Sequence, residues 1–147
     1  MSDTLAGVML SPLHRISGEL GDVLHGLRKS WPGYHGFAEA YFSEVHEGAI
    51  KHWRKHTRVT MNLIVPVGAV RFVIYDDRQG SDTYGQFLSC KIGRAIDNYA
   101  RLTVEPGLWL ALQGLGPGTS LVLDIVDEEH DPVEAETREL SALPFDW

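Results

Sequence analysis

Residues 61–77 read MNLIVPVGAVRFVIYDD, which is two apolar runs separated by Pro66, Val67 and Gly68. Both runs are rich in β-branched and aromatic residues, and proline at a strand end followed by glycine is typical of a turn. The stretch therefore predicts a β-hairpin that turns at Val67-Gly68. Side chains alternate along a strand, so two faces are expected, one with Arg71, Val73 and Tyr75 and the other with Val70, Phe72 and Ile74.

The same pattern continues along the chain in both directions. Turn sequences lie at 31–36, 66–68, 76–85, 105–107 and 114–120, and short runs rich in Val, Ile, Leu and aromatic residues lie between them. This spacing predicts an all-β sandwich or barrel, formed by one domain over residues 1–147. One short C-terminal helix is predicted at 132–143, with Asp131 as its N-cap and Pro132 at its start.

The composition limits the classes of function. The net charge of −7 disfavours general nucleic-acid binding, which needs a broad basic surface, but it leaves room for a small basic pocket. The single cysteine, Cys90, excludes a disulfide within the chain and indicates a reducing, cytoplasmic setting. No apolar run approaches the roughly 18 residues of a membrane span, and the N-terminal residues do not predict a signal peptide.

Residues 48–58, GAIKHWRKHTR, form a basic stretch in this acidic chain. As a strand, the stretch divides into two faces, one with Ile50, His52, Arg54 and His56 and the other with Lys51, Trp53 and Lys55. An inward face with these histidines and this arginine needs solvent or a partner, which a cavity for an anion or an enolate would supply. Alternatively, the strand lies at a sheet edge with both faces in water. Alternation alone does not choose between the two.

Several blocks of this chain, in order, resemble the dTDP-4-dehydrorhamnose 3,5-epimerase family over about residues 42–132. They are G-x-x-[RK] at 48–51, D-x-R at 76–78, S-x-T-[FY]-G at 81–85 and a Pro-Gly turn at 106–107. The resemblance implies a cupin-type jelly-roll barrel, a homodimer and a nucleotide-linked 4-keto-6-deoxysugar as substrate. It also implies a reaction without metal or other cofactor.

In the reaction that the family implies, the 4-keto group acidifies the protons at C3 and C5 of the sugar. A base removes one proton, an enolate forms, and an acid returns a proton to the opposite face. The enzyme then needs a base, an acid across the ring and a positive charge near the enolate oxygen. Arginine or lysine is needed for the diphosphate.

Carried over residue by residue, the family pattern is only partly kept. Lys51 matches the family arginine, but Arg54 falls on the catalytic histidine, and arginine cannot act as a base at neutral pH. His56, two residues further along the same face, is therefore predicted to be the base, with His52 as a second candidate. The family aspartate that orients the histidine lies in a C-terminal extension that this chain lacks.

The remaining candidates come from later blocks. Asn62 falls on the family lysine, and Asp124 falls near the family tyrosine. The predicted catalytic residues are thus His56, Asp124 and Tyr99, and the predicted substrate-binding residues are Lys51, His52, Arg54, Asn62 and Arg78. Asp124 is interpreted as the partner of His56 or as the acid.

Structural roles and other functions remain open on sequence grounds. Lys51 and Arg54 could form surface salt bridges, Arg78 could form an ion pair that closes the hairpin, and Asp124 could pair with a core arginine. A non-catalytic cupin that binds a sugar nucleotide is the main alternative function. A metal site through His46, His52 and His56 is disfavoured because metal-binding cupins use an H-x-H pair with a later Glu and His.

Overall fold

The computed structural model describes residues 4–147, and within them the protein is built almost wholly from β-strands. The strands are Val8–Pro12 (β1), Arg15–Ile16 (β2), Val23–Leu24 (β3), Glu39–Val45 (β4), Ile50–His56 (β5), Met61–Val67 (β6), Val70–Tyr75 (β7), Phe87–Ile92 (β8), Ala100–Val104 (β9), Trp109–Gly114 (β10), Ser120–Val126 (β11) and Ala135–Arg138 (β12). The all-β prediction is confirmed. None of the helices in residues 4–147 is long and apolar enough to cross a membrane.

The strands form two antiparallel five-stranded sheets and a small β2–β3 hairpin. The first sheet has the order β1-β9-β6-β11-β4 and the second the order β12-β5-β10-β7-β8. One apolar core packs between them, and Val65, Phe72, Ile92 and Leu102 are among its fully buried members. Face-to-face packing of this kind is the architecture of a β-sandwich closed into a jelly roll.

The predicted hairpin around Val67-Gly68 is wrong, because β6 and β7 belong to different sheets. β6 pairs with β9 and β11, whereas β7 pairs with β10 and β8. Gly68 has φ = +80° at the corner, and a Cβ there would collide with the side chain of Ser120. Both runs are apolar enough to be inner strands with two neighbours, which a simple hairpin would not provide.

The predicted alternation along β7 is confirmed. Val70, Phe72 and Ile74 enter the main core, while Val73 and Tyr75 pack on the outer face of the second sheet. Arg71 shares that outer face, where its guanidinium lies 5.7 Å from the ring centre of Phe145.

The predicted helix at 132–143 is also wrong. Residues 135–138 form β12, which pairs antiparallel with β5, and only Leu140–Ala142 make one turn of 3₁₀-helix. Asp131 caps a turn rather than a helix, since its Oδ1 accepts from the amide of Val133 at 3.2 Å. Pairing with β5 outweighs the helix propensity of residues 132–143, because the edge of β5 has free backbone N–H and C=O groups to which this segment can form hydrogen bonds.

An aromatic cluster covers the outer face of the second sheet. Trp53 and Trp109 are fully buried there, and Leu143, Phe145 and Trp147 of the C-terminal segment pack against them. Because Trp53 faces this cluster, the neighbouring side chains of β5 face the space between the sheets. β5 pairs with both β10 and β12, so the interpretation of β5 as a wet edge strand is contradicted.

Candidate active site

A cavity of about 460 Å³ opens between the two sheets and is lined by the inward face of β5. Apolar side chains such as Met61, Leu63 and Leu110 form part of its wall. Its polar groups come from both sheets and are Lys51, His52, Arg54 and His56 on one side and Tyr41, Ser43 and Asp124 on the other. Of the two interpretations of β5 that the sequence left open, the structure shows the one with a polar face toward a cavity.

His56 is held by Glu134, a residue that the sequence did not single out. The His56 Nδ1 lies 2.6 Å from Glu134 Oε1, and both side chains are buried. Glu134 Oε2 accepts from the backbone amides of Thr57 at 2.7 Å and Arg58 at 2.9 Å. Burial by itself raises the pKa of Glu134, but these amides and His56 outweigh it and lower the pKa to about 2.

The ionised Glu134 carboxylate fixes the tautomer of the neutral His56 ring. A carboxylate can only accept, so Nδ1 carries the proton and Nε2 keeps its lone pair. Within residues 4–147 no hydrogen bond occupies Nε2, and His56 lines the cavity. This is the arrangement of an oriented general base. Glu134, which the sequence analysis had placed in a helix, thus supplies the carboxylate that holds His56.

A β-bulge turns Lys51 into the cavity. Leu110 pairs with Arg54, but Leu112 pairs with Lys51, so β5 carries one extra residue between the two pairs. The predicted common face of Lys51 and Trp53 is therefore wrong, because the bulge shifts the alternation by one residue. Lys51 Nζ donates to Ser43 Oγ at 2.6 Å. Burial and the nearby Arg54 lower the pKa of Lys51.

Lys51 and Arg54 line the cavity without carboxylate partners. In the described part of the chain, neither has a carboxylate oxygen within 4.0 Å, so the predicted alternative of surface salt bridges does not hold. His52 lines the same end of the cavity. Two cations that face a cavity with no protein counter-ion favour an anionic ligand.

Asp124 faces the cavity from the opposite sheet. It is 4% exposed, and its Oδ2 accepts from the Tyr41 hydroxyl at 2.8 Å. Its Oδ1 has no partner among residues 4–147. Burial raises the pKa of Asp124 to about 7, and Arg54 and Tyr41 only partly oppose this. The sequence had suggested His56 or a core arginine as the partner of Asp124. Both suggestions are wrong, because the partner is Tyr41.

A second, smaller pocket of about 190 Å³ adjoins the first and shares Tyr41, Arg54, His56 and Thr137 with it. Acidic side chains line its outer part, namely Glu39, Glu128, Glu129 and Asp131. The combined space is thus polarised, with Lys51 and His52 at one end and carboxylates at the other. The rise of about 3.3 Å per residue puts Lys51 and His56 roughly 15 Å apart along β5.

Three predicted site residues lie away from the cavity. The Tyr99 hydroxyl donates to the carbonyl of His25 at 2.7 Å. Asn62 projects from the other face of β6, where its amide donates to the Gly33 carbonyl and its oxygen accepts from Arg101. The Tyr99 hydroxyl and the Asn62 amide therefore form hydrogen bonds with the segment that covers the outer face of the first sheet. Because side chains alternate along β6, Asn62 points away from the cavity that its neighbours Met61 and Leu63 line.

Arg78 also has a structural position, as the alternative interpretation predicted. Its guanidinium contacts Asp76 at 2.9 Å and the carbonyl of Ala6 at 2.6 Å. Ser81 and Thr83 donate to the same carboxylate at 2.6 and 2.7 Å. Burial raises the pKa of Asp76, but these donors outweigh it and hold the pKa well below its ordinary value. The D-x-R and S-x-T motifs therefore shape one loop.

No group of three or more His, Cys, Asp or Glu side chains in residues 4–147 is arranged to hold a metal ion. His46 lies outside the cavity lining and contacts Thr119 Oγ1 at 3.0 Å. Tyr41 and Glu134 are among the site residues that sequence reasoning missed. Each acts through a contact 78 or more positions away, and only the strand register reveals it.

Comparison with known proteins gives a consistent relationship, although a scan against family models finds no match. The chain is 37% identical to a solved dTDP sugar isomerase from Desulfovibrio desulfuricans G20, with a TM-score of 0.93 over 97% of this chain and 92% of that one. It is 26% identical over 129 residues to a probable low-salt glycan biosynthesis epimerase of Haloferax volcanii, covering 86% of this chain and 79% of the relative.

A more distant solved structure shares the fold. The dTDP-4-dehydrorhamnose 3,5-epimerase from Bacillus anthracis, solved with TDP and PPi bound, is 21% identical and has a TM-score of 0.78, with 88% of this chain and 77% of that one covered. The cupin-type jelly roll predicted from the sequence is confirmed.

The raised pKa of Asp124 predicts a pH-dependent stability. The folded state binds the Asp124 proton more tightly than the unfolded state, so this contribution is complete below about pH 4 and is lost as the pH rises through about 7. The loss has an upper limit of about 4 kcal/mol. We expect the Asp124→Asn variant to lose less thermal stability than the unsubstituted protein between pH 5 and pH 8. Equal losses in thermal melts of the two proteins would contradict this.

Proposed function

We propose that this chain, which belongs to the family of dTDP-sugar isomerases and dTDP-4-dehydrorhamnose 3,5-epimerases, epimerises a nucleotide-linked 4-keto-6-deoxysugar through an enolate. The observation that carries the proposal is the His56–Glu134 pair, which presents a free ring nitrogen to a cavity beside unpaired cations. A base, a cation and a cavity are the groups that proton abstraction next to a ketone needs.

His56 removes the proton next to the 4-keto group. As the proton arrives at Nε2, the ring becomes a cation, and the Glu134 carboxylate stabilises that cation through Nδ1. The negative charge then moves onto the keto oxygen. Arg54 lies two residues before His56 on the same face and supplies a fixed positive charge for the enolate oxygen. The arginine at the position of the family histidine is thus used for charge rather than for proton transfer.

The charge distribution of the cavity orients the substrate. The diphosphate binds at the end with Lys51 and His52, because Glu39 and Glu129 of the smaller pocket, which have no ion-pair partner in residues 4–147, repel it from the other end. The sugar then lies next to Arg54 and His56. Asp124 and Tyr41 on the opposite sheet face the other side of the sugar ring and are the ionisable groups available there.

The main alternative is a protein that binds a sugar nucleotide without turnover. One observation favours this alternative: Arg54 occupies the position where the family has its catalytic histidine. Deuterium exchange separates the two functions, because binding alone leaves the C3 and C5 protons in place whereas enolate formation exchanges at least one of them. For an enzyme of this substrate class with the free thiol of Cys90, we also propose a cytoplasmic setting.

The first prediction concerns the base. In heavy water with a dTDP-4-keto-6-deoxyhexose, we expect proton NMR to show loss of the C3 or C5 signal. His56→Ala should slow this exchange by about 100-fold or more, since the base is gone. The matched control is His46→Ala, a histidine outside the cavity lining, which should exchange normally. Normal exchange by His56→Ala would exclude His56 as the base.

Glu134→Gln tests the same pair in another way. The glutamine amide can donate to Nδ1, which moves the His56 proton to Nε2 and removes the basic lone pair. We expect exchange to fall by a similar factor while the circular dichroism spectrum stays native. Retained exchange would show that the tautomer set by Glu134 does not matter.

The second prediction concerns the diphosphate site. Lys51→Ala removes one charge-assisted contact, so we expect KM to rise by about 10-fold or more with a smaller change in kcat. Lys91→Ala, an exposed lysine on β8, is the control and should leave KM unchanged. A Lys51→Ala variant with normal KM would place the diphosphate elsewhere.

We also propose that the protein is a homodimer. β4 is the last strand of the first sheet, and its outward Phe42 is 63% exposed, as is the nearby Phe37. Leu121, Leu123 and Ile125 of β11 continue this apolar outer face and are only half-buried. An edge strand with an apolar face of this kind favours pairing with a second copy.

The third prediction follows from that surface. Phe42→Glu places a charge in the proposed interface, so we expect light scattering to show a dimer for the unsubstituted protein and a monomer for the variant at micromolar concentration. Glu44→Gln, on the same strand, serves as the control. A monomeric unsubstituted protein would contradict the proposal.

A further inference from the structure

Proton carriers stand on opposite walls of the cavity. His56 projects from β5 in the second sheet, whereas Tyr41 and Asp124 project from β4 and β11 in the first sheet. A group bound between the sheets therefore has His56 on one side and the Tyr41–Asp124 pair on the other. Inversion of a carbon centre needs this geometry, because the proton must leave one face and return to the other.

Tyr41 and Asp124 are joined by the strand register. The two residues are direct partners across the β4–β11 ladder, and the hydroxyl lies 2.8 Å from Asp124 Oδ2. Tyr41 is 36% exposed and lines both pockets, whereas Asp124 is 4% exposed and lines only the larger one. Tyr41 is thus the more accessible member of the pair, and its hydroxyl contacts the carboxyl group directly.

Neither group serves well as an acid by itself. The Asp124 oxygens are enclosed, with Oδ1 buried and Oδ2 in contact with Tyr41. Tyr41 has a raised pKa because of burial and the adjacent Asp124, so a free tyrosinate beside the carboxylate would be unstable. A hydroxyl can, however, donate one proton while it accepts another. The pair can therefore pass on a proton without forming tyrosinate.

Resting on the proposed function, we propose that Tyr41 is the catalytic residue that returns the proton to the sugar face opposite His56, and that Asp124 is its positioning residue and proton source. The position where the family has its tyrosine is occupied by Asp124 in this chain, and the hydroxyl comes from the neighbouring strand instead.

The proton transfer balances as follows. The Tyr41 O–H bond breaks, and its proton forms the new C–H bond with the electron pair of the enolate carbon. When Asp124 is protonated, the 2.8 Å contact runs in the other direction, with Oδ2 donating to the Tyr41 oxygen. This Asp124 O–H bond breaks at the same time, and its proton restores the Tyr41 hydroxyl. Asp124 is left as a carboxylate and His56 as an imidazolium, which then return to their starting forms by exchange with water.

The protonation state of Asp124 fits this role near neutral pH. Burial raises its pKa to about 7, so a large fraction carries a proton there. The titratable or charged groups that face it are Tyr41 and Glu39 on β4 and Arg54 on β5, while β6 presents Leu63 as its partner. Inversion should therefore slow as the pH rises above about 7, since the carboxylate has no proton to give.

Because His56 removes the proton and Tyr41 returns one, deuterium exchange and inversion of the carbon centre can be measured separately. His56 can remove a proton and return a deuteron to the same face without help from Tyr41. Loss of Tyr41 or Asp124 should then stop inversion while wash-in of deuterium continues. A merely structural role would reduce both together, because a distorted cavity would also impair the His56 side.

The test compares both readouts in one NMR experiment with a dTDP-4-keto-6-deoxyhexose in heavy water. For Tyr41→Phe we expect wash-in within about 3-fold of the unsubstituted protein and epimer formation reduced by about 100-fold or more. Asp124→Asn should behave in the same way and should lose the decline of inversion above pH 7. Tyr84→Phe, an exposed tyrosine away from the cavity, is the matched control and should be normal in both readouts.

The outcomes separate the two levels of the proposal. Normal epimer formation by Tyr41→Phe would overturn the role of Tyr41 and leave the epimerase function standing. Equal loss of wash-in and inversion, with native circular dichroism, would assign Tyr41 to binding and overturn its role as proton carrier. Absence of both wash-in and inversion in the unsubstituted protein would overturn the proposed function and this role together.

Discussion

The hydrogen bond between Glu134 and His56 connects the fold to the candidate site. Glu134 Oε1 fixes the imidazole, while Oε2 satisfies the amides of the turn after β5. The same contact brings the chain to the edge of β5, where β12 pairs with residues 53–56. Without it, two buried polar side chains and several amides would lack partners, which costs far more than one ordinary hydrogen bond contributes. The edge of the second sheet and the orientation of the base thus depend on one carboxylate.

The cavity is polar because its basic side chains have no carboxylate partners, whereas several basic side chains elsewhere in the protein form ion pairs. Arg58 meets Glu128 and Asp131, Lys55 meets Asp77, and Arg78 meets Asp76. Against this background of paired surface and loop charges, the uncompensated Lys51 and Arg54 mark the place for an anion. The β-bulge in β5 is part of this arrangement, since a regular strand would have turned Lys51 toward the aromatic cluster on the outer face.

Related folds can keep a reaction while they exchange the positions of the groups that perform it. In this chain the place of the family histidine holds Arg54, and the place of the family tyrosine holds Asp124. A histidine held by a carboxylate, His56, lies two residues further along β5, and the hydroxyl of Tyr41 lies on the strand beside Asp124. Chemistry requires a base, an acid and a positive charge at certain places around the sugar, and it does not require that fixed sequence positions supply them.

The sequence by itself determined the all-β class, the alternation along β7 and the resemblance to the family, and it singled out the basic residues of β5 without deciding which way they face. These features depend on local patterns of period two and on short motifs, which are readable without knowing strand partners. Asp124 was also found in this way, since a carboxylate within an apolar strand is unusual.

Tertiary structure alone decided the rest. The corner between β6 and β7, the strand at 135–138, the bulge that turns Lys51 inward and the partners Glu134 and Tyr41 all depend on which distant segments lie side by side. Tyr99 and Asn62 were misplaced for the same reason, because their partners at 25 and at 33 and 101 belong to loops or strands whose positions no local pattern specifies. Arg78, by contrast, pairs with Asp76 inside its own D-x-R motif, as the alternative interpretation had predicted. Register between strands is fixed by the packing of the whole core, so contacts across the sheets could not be read from the order of residues.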